Sequence, residues 1–317
     1  MTKDEVRHTA RKLGIDLVGF STVERVDQRL PQGLQFSNIS PDLPVFLALA
    51  KHIPVGIMGA IDKDPKPMAC SLVHRALEEA AAELAYHLES HDCMAVCLPS
   101  LSMDFKHKTE LSNTPAGQGS FDLRMAAVEA GLGTLGLNNM LLTPRFGPRI
   151  YLCGMLTNLE AEPDSPLPRQ LCLGLEECGR CAAVCPGDAI PRQAPRGAAL
   201  DSVRRLDEAA CARHSQPYGP QAFADAIQGL ASLQDSEALS SQIQGSATSQ
   251  LWYHMTVLRQ GAFTGCSRCL QVCPVGEDWE KLLESPHRRQ DLPASAKPYL
   301  ERGLVRIENF SGDRGAA

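Results

Sequence analysis

The chain has 317 residues, 44% of them apolar, and a formal net charge of −6 from 31 Lys+Arg against 37 Asp+Glu. That length supports one large domain or two ordinary ones with a sizeable core, and the acidic balance gives no reason to expect general binding to a phosphate backbone. The first twenty residues lack the apolar stretch and cleavage site of a signal peptide, and no segment reaches the ~18 uninterrupted apolar residues of a membrane span, so the expectation is a soluble, cytoplasmic chain without a membrane partner.

In chain order, residues 3–13 have the period of an amphipathic helix, and strands are expected near Asp16–Ser21 and Val45–Ala50. The Ala/Leu/Glu-rich, breaker-free run Met68–Glu89 predicts a long helix, and Cys93–Leu98 a short buried strand. Residues 99–122 are polar and irregular, a loop of a length that is usually functional or disordered. A short helix is expected over Leu123–Ala130, ending at Gly131, and a strand over Tyr151–Leu156. Pro163–Pro168 is the clearest linker. Beyond about residue 165 Cys, Pro and Gly dominate, with helices expected near 221–232 and 250–260 and a tail after Lys297 that wraps or frays. The division is therefore an α/β part over 1–165 and a small cluster-binding part with helical inserts over 166–317, an α+β chain overall.

The strongest signal is a spacing that occurs twice. Cys178-x2-Cys181-x3-Cys185-Pro186 is repeated as Cys266-x2-Cys269-x3-Cys273-Pro274. Bacterial ferredoxins hold iron–sulfur clusters with thiolates at these intervals. Two [4Fe–4S] clusters need eight thiolates, and the runs supply six. Cys172 and Cys211 complete the set. Cys172 lies three residues earlier than the usual place, held here by Leu175, and Gly174 would permit the bulge this requires. A three-cysteine or [3Fe–4S] site, with Cys172 merely buried, is the alternative. Zinc is a rival, but zinc knuckles lack the x3-Cys-Pro extension. If the cysteine before proline serves the other cluster, as in ferredoxins, one cluster takes Cys172, Cys178, Cys181 and Cys273, and the other takes Cys185, Cys211, Cys266 and Cys269. The remaining cysteines, Cys70, Cys93, Cys97 and Cys153, lie in apolar segments and read as small buried hydrophobes. Trp252 and Tyr253 read as core-packing residues, with shielding of a cluster from water as the alternative, and His254 could donate a hydrogen bond to a cluster sulfur.

A second segment, Ala130–Arg149, is glycine-rich after a helix: AGLGTLGLNNMLLTPRFGPR. Gly131-x-Gly133-x-x-Gly136 matches a dinucleotide fingerprint literally, but it follows a helix and leads into a strand, the reverse of the required context. Together with the cysteine runs and a lone cysteine between them, the segment resembles the epoxyqueuosine reductases and their relatives, the corrinoid-dependent reductive dehalogenases. The resemblance covers roughly residues 1–285. It implies a nitroreductase-like α/β domain that holds cobalamin, followed by a ferredoxin-like double-cluster domain. It also implies electrons drawn from an external donor such as ferredoxin or flavodoxin and passed through the clusters to cobalt. Gly131, Gly133, Gly136, Asn138, Asn139, Pro144 and Gly147 would then line the corrinoid. The substrate would be a small molecule or a nucleoside.

Several departures bear on the substrate. The family's lysine in this segment is Leu137 here, and its acidic proton donor would fall near Gly117. Asp122 is the nearest acid, and Asp122 with Arg124 forms the candidate catalytic pair, the first to donate or relay a proton and the second to hold an anion. Asp122 equally suits an N-cap for the helix that follows. His107, between two lysines, reads as solvated. The helical repeats with which longer epoxyqueuosine reductases hold tRNA do not follow the second cysteine run, which with the acidic charge weighs against tRNA. The alternatives are an electron-transfer or activator protein with no substrate of its own, and an epoxyqueuosine reductase acting on tRNA.

Overall fold

The computed structural model describes residues 1–59, 65–100, 103–104, 118–119, 122–192, 206–257 and 266–279. It begins with helix α1, Lys3–Lys12, whose start is fixed by a capping box between Thr2 and Glu5. Strand β1 (Leu17–Thr22), helix α2 (Val23–Asp27), strand β2 (Val45–His52) and helices α3 (Val55–Gly59) and α4 (Pro65–Glu89) follow. Strand β3 is Ala95–Leu98, and Met103–Asp104 (β4) pairs with Gln118–Gly119 (β5). Helix α5 (Leu123–Glu129), the two-residue strands β6 (Thr134–Leu135) and β7 (Leu141–Leu142), and strand β8 (Ile150–Thr157) complete this half.

Four strands form one sheet in the order β1-β2-β8-β3, and every pairing is antiparallel. β2 lies inside the sheet and is covered on both faces, which explains its unbroken apolar sequence Val45–Ala50. Alternation along the strand splits these side chains by face. Val45, Leu47 and Leu49 join Val6 and Ala10 of α1 and Leu77, Leu84 and Leu88 of α4. Phe46, Ala48 and Ala50 join Val23 and Val26 of α2 and Ala126 and Ala127 of α5. The sheet is thus sandwiched between two helical layers.

One expectation is corrected here. β3 is a half-covered outer strand rather than a buried one: Val96 is 39% exposed, because the strand has a neighbour on one side only. The stretch Pro163–Pro168 has no helix or strand, and Asp164 within it is strapped to the first half. Its carboxylate accepts from Lys3 Nζ at 2.6 Å, from Arg7 Nη2 at 2.8 Å and from the Phe20 N–H at 2.9 Å.

The cysteine-bearing half contains the short helices α6 (Gly174–Glu177) and α7 (Arg180–Ala183), then α8 (Glu208–Ser215), α9 (Pro220–Ala231), α10 (Ser236–Gln244), α11 (Ser246–Trp252) and α12 (Arg268–Gln271). α9 and α11 match the expected inserts, and a π-helical turn, Tyr253–Val257, extends the second. Trp252 and Tyr253 are 57% and 52% exposed, so the core-packing expectation fails for both. His254 is buried against the Tyr218 ring, 3.8 Å between centroids and stacked. The expectations for His107 and for the tail after Lys297 lie outside the described residues, as does most of the 99–122 loop.

Arg149 is one of the residues that join the halves. Arg149, with no exposed surface, donates through Nε and Nη2 to both oxygens of Asp278 at 2.8 and 2.6 Å. Its other N–H groups reach the carbonyls of Leu270, Cys273 and Val275 at 3.1, 3.0 and 2.7 Å. All five guanidinium donors are therefore used. Gly147 sits beside it with φ of 52°, and a Cβ there would stand 1.9 Å from the Val275 carbonyl oxygen. Only glycine permits this contact.

Candidate cysteine clusters and their cavity

The chain turns that carry the thiols need unusual backbone. Gly174 and Gly179 flank Cys178 with φ of 75° and 62°, and Gly174 donates its N–H to Cys172 Sγ at 3.4 Å. Leu137, from the hairpin between β6 and β7, donates to the same sulfur at 3.4 Å, and the Ala189 N–H reaches Cys185 Sγ at 3.3 Å.

Electrostatic contact links the eight thiols. Burial first, and then Cys269, Cys273, Cys172 and Cys178, push Cys181 well above the ordinary thiol range. Burial first, and then Cys266, Cys211, Cys185 and Cys273, do the same to Cys269. Cys273 is pushed up to about 12 by burial, with Cys172 and Cys178 adding and the Val275 N–H and Arg149 opposing. Cys211 is raised by burial and feels Cys185. Cys172, Cys178 and Cys273 of the first expected set thus act on Cys181, and Cys185, Cys211 and Cys266 of the second act on Cys269, while each of these two thiols also feels a member of the other set, Cys269 at Cys181 and Cys273 at Cys269. The sets approach each other at Cys181 and Cys269. Among the described residues, no three His, Cys, Asp or Glu side chains are arranged to hold one metal ion.

A cavity of about 460 Å³ adjoins the second set. Cys185, Cys211, Cys266 and Cys269 lie on its cysteine-bearing side. Facing them are Asp122, Arg124, Asn138, Ser100, Lys66, Cys70 and the apolar Ile53, Met140, Ile150, Tyr151 and Leu152.

The residues expected to line a cofactor divide. Asn138 lines the cavity, and its Nδ2 is buried without a hydrogen-bond partner among the described residues. Asn139 Nδ2 is likewise unpartnered, although Asn139 is not on the wall. The space before the glycines is taken by the protein's own chain: Ser165 at Gly131, Leu142 at Gly133, Asn138 at Gly136 and Val275 at Gly147. Pro144 is exposed. Asp122 caps α5, accepting the Met125 N–H at 3.2 Å, and its carboxylate lies 3.6 Å from Arg124 Nε. Both contacts favour its charged form. Arg124 also donates to the Asn139 carbonyl at 3.0 Å and lies close enough to Cys211 to oppose its raised pKa. Lys66, 4% exposed, is a cavity residue with no motif to announce it. Of the four other cysteines, Cys70 and Cys153 are buried as expected and Cys93 and Cys97 only half so.

No family model matches the chain. It is 28% identical over 206 residues to the epoxyqueuosine reductase of Bacillus subtilis (strain 168), covering 59% of this chain and 51% of that protein. It is 41% identical over 70 residues to a tetrachloroethene reductive dehalogenase of Desulfitobacterium hafniense, covering 21% and 12%. The chain is a relative of the epoxyqueuosine reductases and the reductive dehalogenases. It spans about half the length of the first protein and much less of the second. A crystal structure of epoxyqueuosine reductase with a tRNA-Tyr epoxyqueuosine-modified stem loop superposes over 98% of this chain and 77% of that one, with a TM-score of 0.50 and 18% identity. That likeness is one of fold, a mixed helix-and-sheet architecture. Among the described residues no helix is long and apolar enough to cross a membrane.

Proposed function

We propose that the chain is an iron–sulfur oxidoreductase. In this reading it carries two [4Fe–4S] clusters and passes electrons from an external donor to a corrinoid at the cavity, where a small or nucleoside-type substrate is reduced. The observation that carries the reading is the gathering of eight thiols around Cys181 and Cys269, four of which (Cys185, Cys211, Cys266 and Cys269) line the cavity. Thiolates in fours are the ligand set that such clusters take. The two sets, 166–317 in the domain division, would hold them.

The cavity suits part of a corrinoid. Its volume is within the ~300–1,000 Å³ of small-molecule clefts, its walls are mostly apolar, and the buried Nδ2 of Asn138 is a donor suited to a ring amide. A corrinoid would supply a low-valent cobalt centre as reductant. Arg124 and Lys66 would hold an anionic group, and Asp122 would keep Arg124 in place. The family relationship supports reductase chemistry, and the tRNA stem loop bound by one relative keeps a tRNA substrate as a second reading.

Anaerobic reconstitution with iron, sulfide and cobalamin tests this. About eight irons per chain with one retained cobalt is expected. Eight irons without cobalt would instead identify an electron-transfer protein, and zinc in place of iron would overturn the reading.

A further inference from the structure

Behind the cavity wall lies a polar group that none of the chemistry above uses. His74, in the middle of α4, is 2% exposed and therefore deep for a titratable side chain. Its Nε2 is hydrogen-bonded to the hydroxyl of Ser100 and lies 3.4 Å from Glu78 Oε1, one turn further along α4. The Ser100 N–H points to the same carboxylate oxygen at 3.3 Å. Ser100 faces the cavity, and the Glu78 side chain is 33% exposed. A continuous polar path therefore runs from solvent through Glu78 and His74 to Ser100 on the cavity wall. Both Ser100 and Glu78 lie at Nε2, which excludes a hydrolase triad, where base and orienting acid occupy opposite ring nitrogens.

We propose that Glu78, His74 and Ser100 form the proton entry to the cavity. The inference rests on the reductase reading, because a reduction fed by single electrons must also be fed protons. Asp122 is a poor source, engaged as a helix cap and facing Arg124. In each transfer the Glu78 carboxyl proton goes to the unprotonated Nε2 of the neutral His74 ring, the imidazolium passes it to Ser100 Oγ as the Ser100 hydroxyl proton goes to the reduced substrate, and Glu78 recovers a proton from water. The electrons come from the external donor through the clusters, so one proton enters for each one consumed. Glu78 and His74 are relay residues, and Ser100 alone meets the substrate.

The surroundings are suited to a relay. Burial, and then Arg75, lower the His74 pKa to about 4, so the ring is neutral at neutral pH and can pass a proton on. Burial raises the Glu78 carboxyl, which the Ser100 N–H partly opposes. From β8, Tyr151 meets His74 edge-on with centroids 5.5 Å apart, and Cys153, itself raised by burial and influenced by Cys97 of β3, feels Glu78.

Two measurements test the relay separately from the reductase reading. In the iron-loaded chain, histidine-selective NMR should show one ring titrating near pH 4, and Glu78→Gln should move that titration. A His74 titration left unmoved by Glu78→Gln would overturn the proposal. In the cobalamin-loaded chain, turnover of a tRNA stem loop carrying epoxyqueuosine, or of tetrachloroethene, should fall ~10–100-fold in His74→Gln and Ser100→Ala, with a changed pH profile and solvent isotope effect. Iron content and cluster spectra should remain as in the parent chain. Unaltered pH profiles and isotope effects in both variants would overturn the relay. If neither probe turns over in the parent chain, the reductase reading fails and the relay with it, whereas turnover that both variants leave unchanged overturns the relay alone.

Discussion

Arg149 and Asp278 meet in a two-pronged ion pair, 2.6 and 2.8 Å, with the arginine wholly buried between the sheet and the second cysteine run. A buried pair of this kind costs desolvation of both charges, and its net worth over an apolar pair is small. Removing one partner is another matter, since the other is then left charged and unsatisfied.

Arg149→Met should therefore destabilise the chain by about 3–5 kcal/mol. Thermal unfolding by circular dichroism checks this. The variant should also lose iron before it unfolds, because Arg149 holds the carbonyls of Leu270, Cys273 and Val275. A variant with the parent's melting temperature would show that the pair contributes nothing.

Two glycine substitutions should act in opposite directions. Gly147→Ala meets the Val275 carbonyl oxygen and a φ of 52°, and should cost ~1–3 kcal/mol. At Gly229, within α9, an added Cβ meets nothing within 4 Å, so Gly229→Ala should stabilise by roughly 0.5–1 kcal/mol. Urea midpoints of the two variants against the parent decide the signs.

Cys211→Ser should remove about half of the iron and the spectroscopic signal of one cluster. Cys70→Ser, also at the cavity but outside both thiol sets, should retain all of it. Full iron in the first variant would break the proposed ligand assignment.

Acid should weaken the fold in two stages. The folded His74 pKa, about 4, lies below the unfolded value of 6.5, so the unfolded chain binds the extra proton between these limits. Its contribution is complete above pH 6.5, shrinks as pH falls and is gone by about 4, on the order of 1–2 kcal/mol after allowing for solvent screening. Asp164 follows. Burial alone would raise its pKa, but hydrogen bonds from Lys3, the Phe20 N–H and Arg7 more than offset that, and the net value is below 3.8. Its contribution is complete well above 3.8 and disappears as pH falls through the lower folded value. Denaturant midpoints taken from pH 7.5 to 3 should fall in the upper window for the parent and stay flatter for His74→Gln.

The sheet was legible because its signals are local. The fully apolar β2 and the α4 run need no knowledge of their neighbours to be read, and the cysteine spacing is chemistry written directly in sequence. Arg149 gave no such signal. Its partner lies 129 residues away, and nothing in Pro148-Arg149-Ile150 distinguishes a buried arginine from a surface one. Lys66, His74 and Ser100 escaped notice for the same reason, since each acquires its setting only when α4 folds against β3 and β8. The glycines of 131–147 were visible, but spacing alone does not tell a ligand's approach from that of another stretch of backbone.

The contact between the Leu137 N–H and Cys172 Sγ bears on maturation. Asn138 is the next residue, so the loop presenting its amide takes its shape partly from the sulfur behind it. On the proposed reading, metallation would come first and the large cofactor second. A chain stripped of iron should then capture cobalamin more weakly than the loaded one, and equal capture by both would show that the two loading steps are independent.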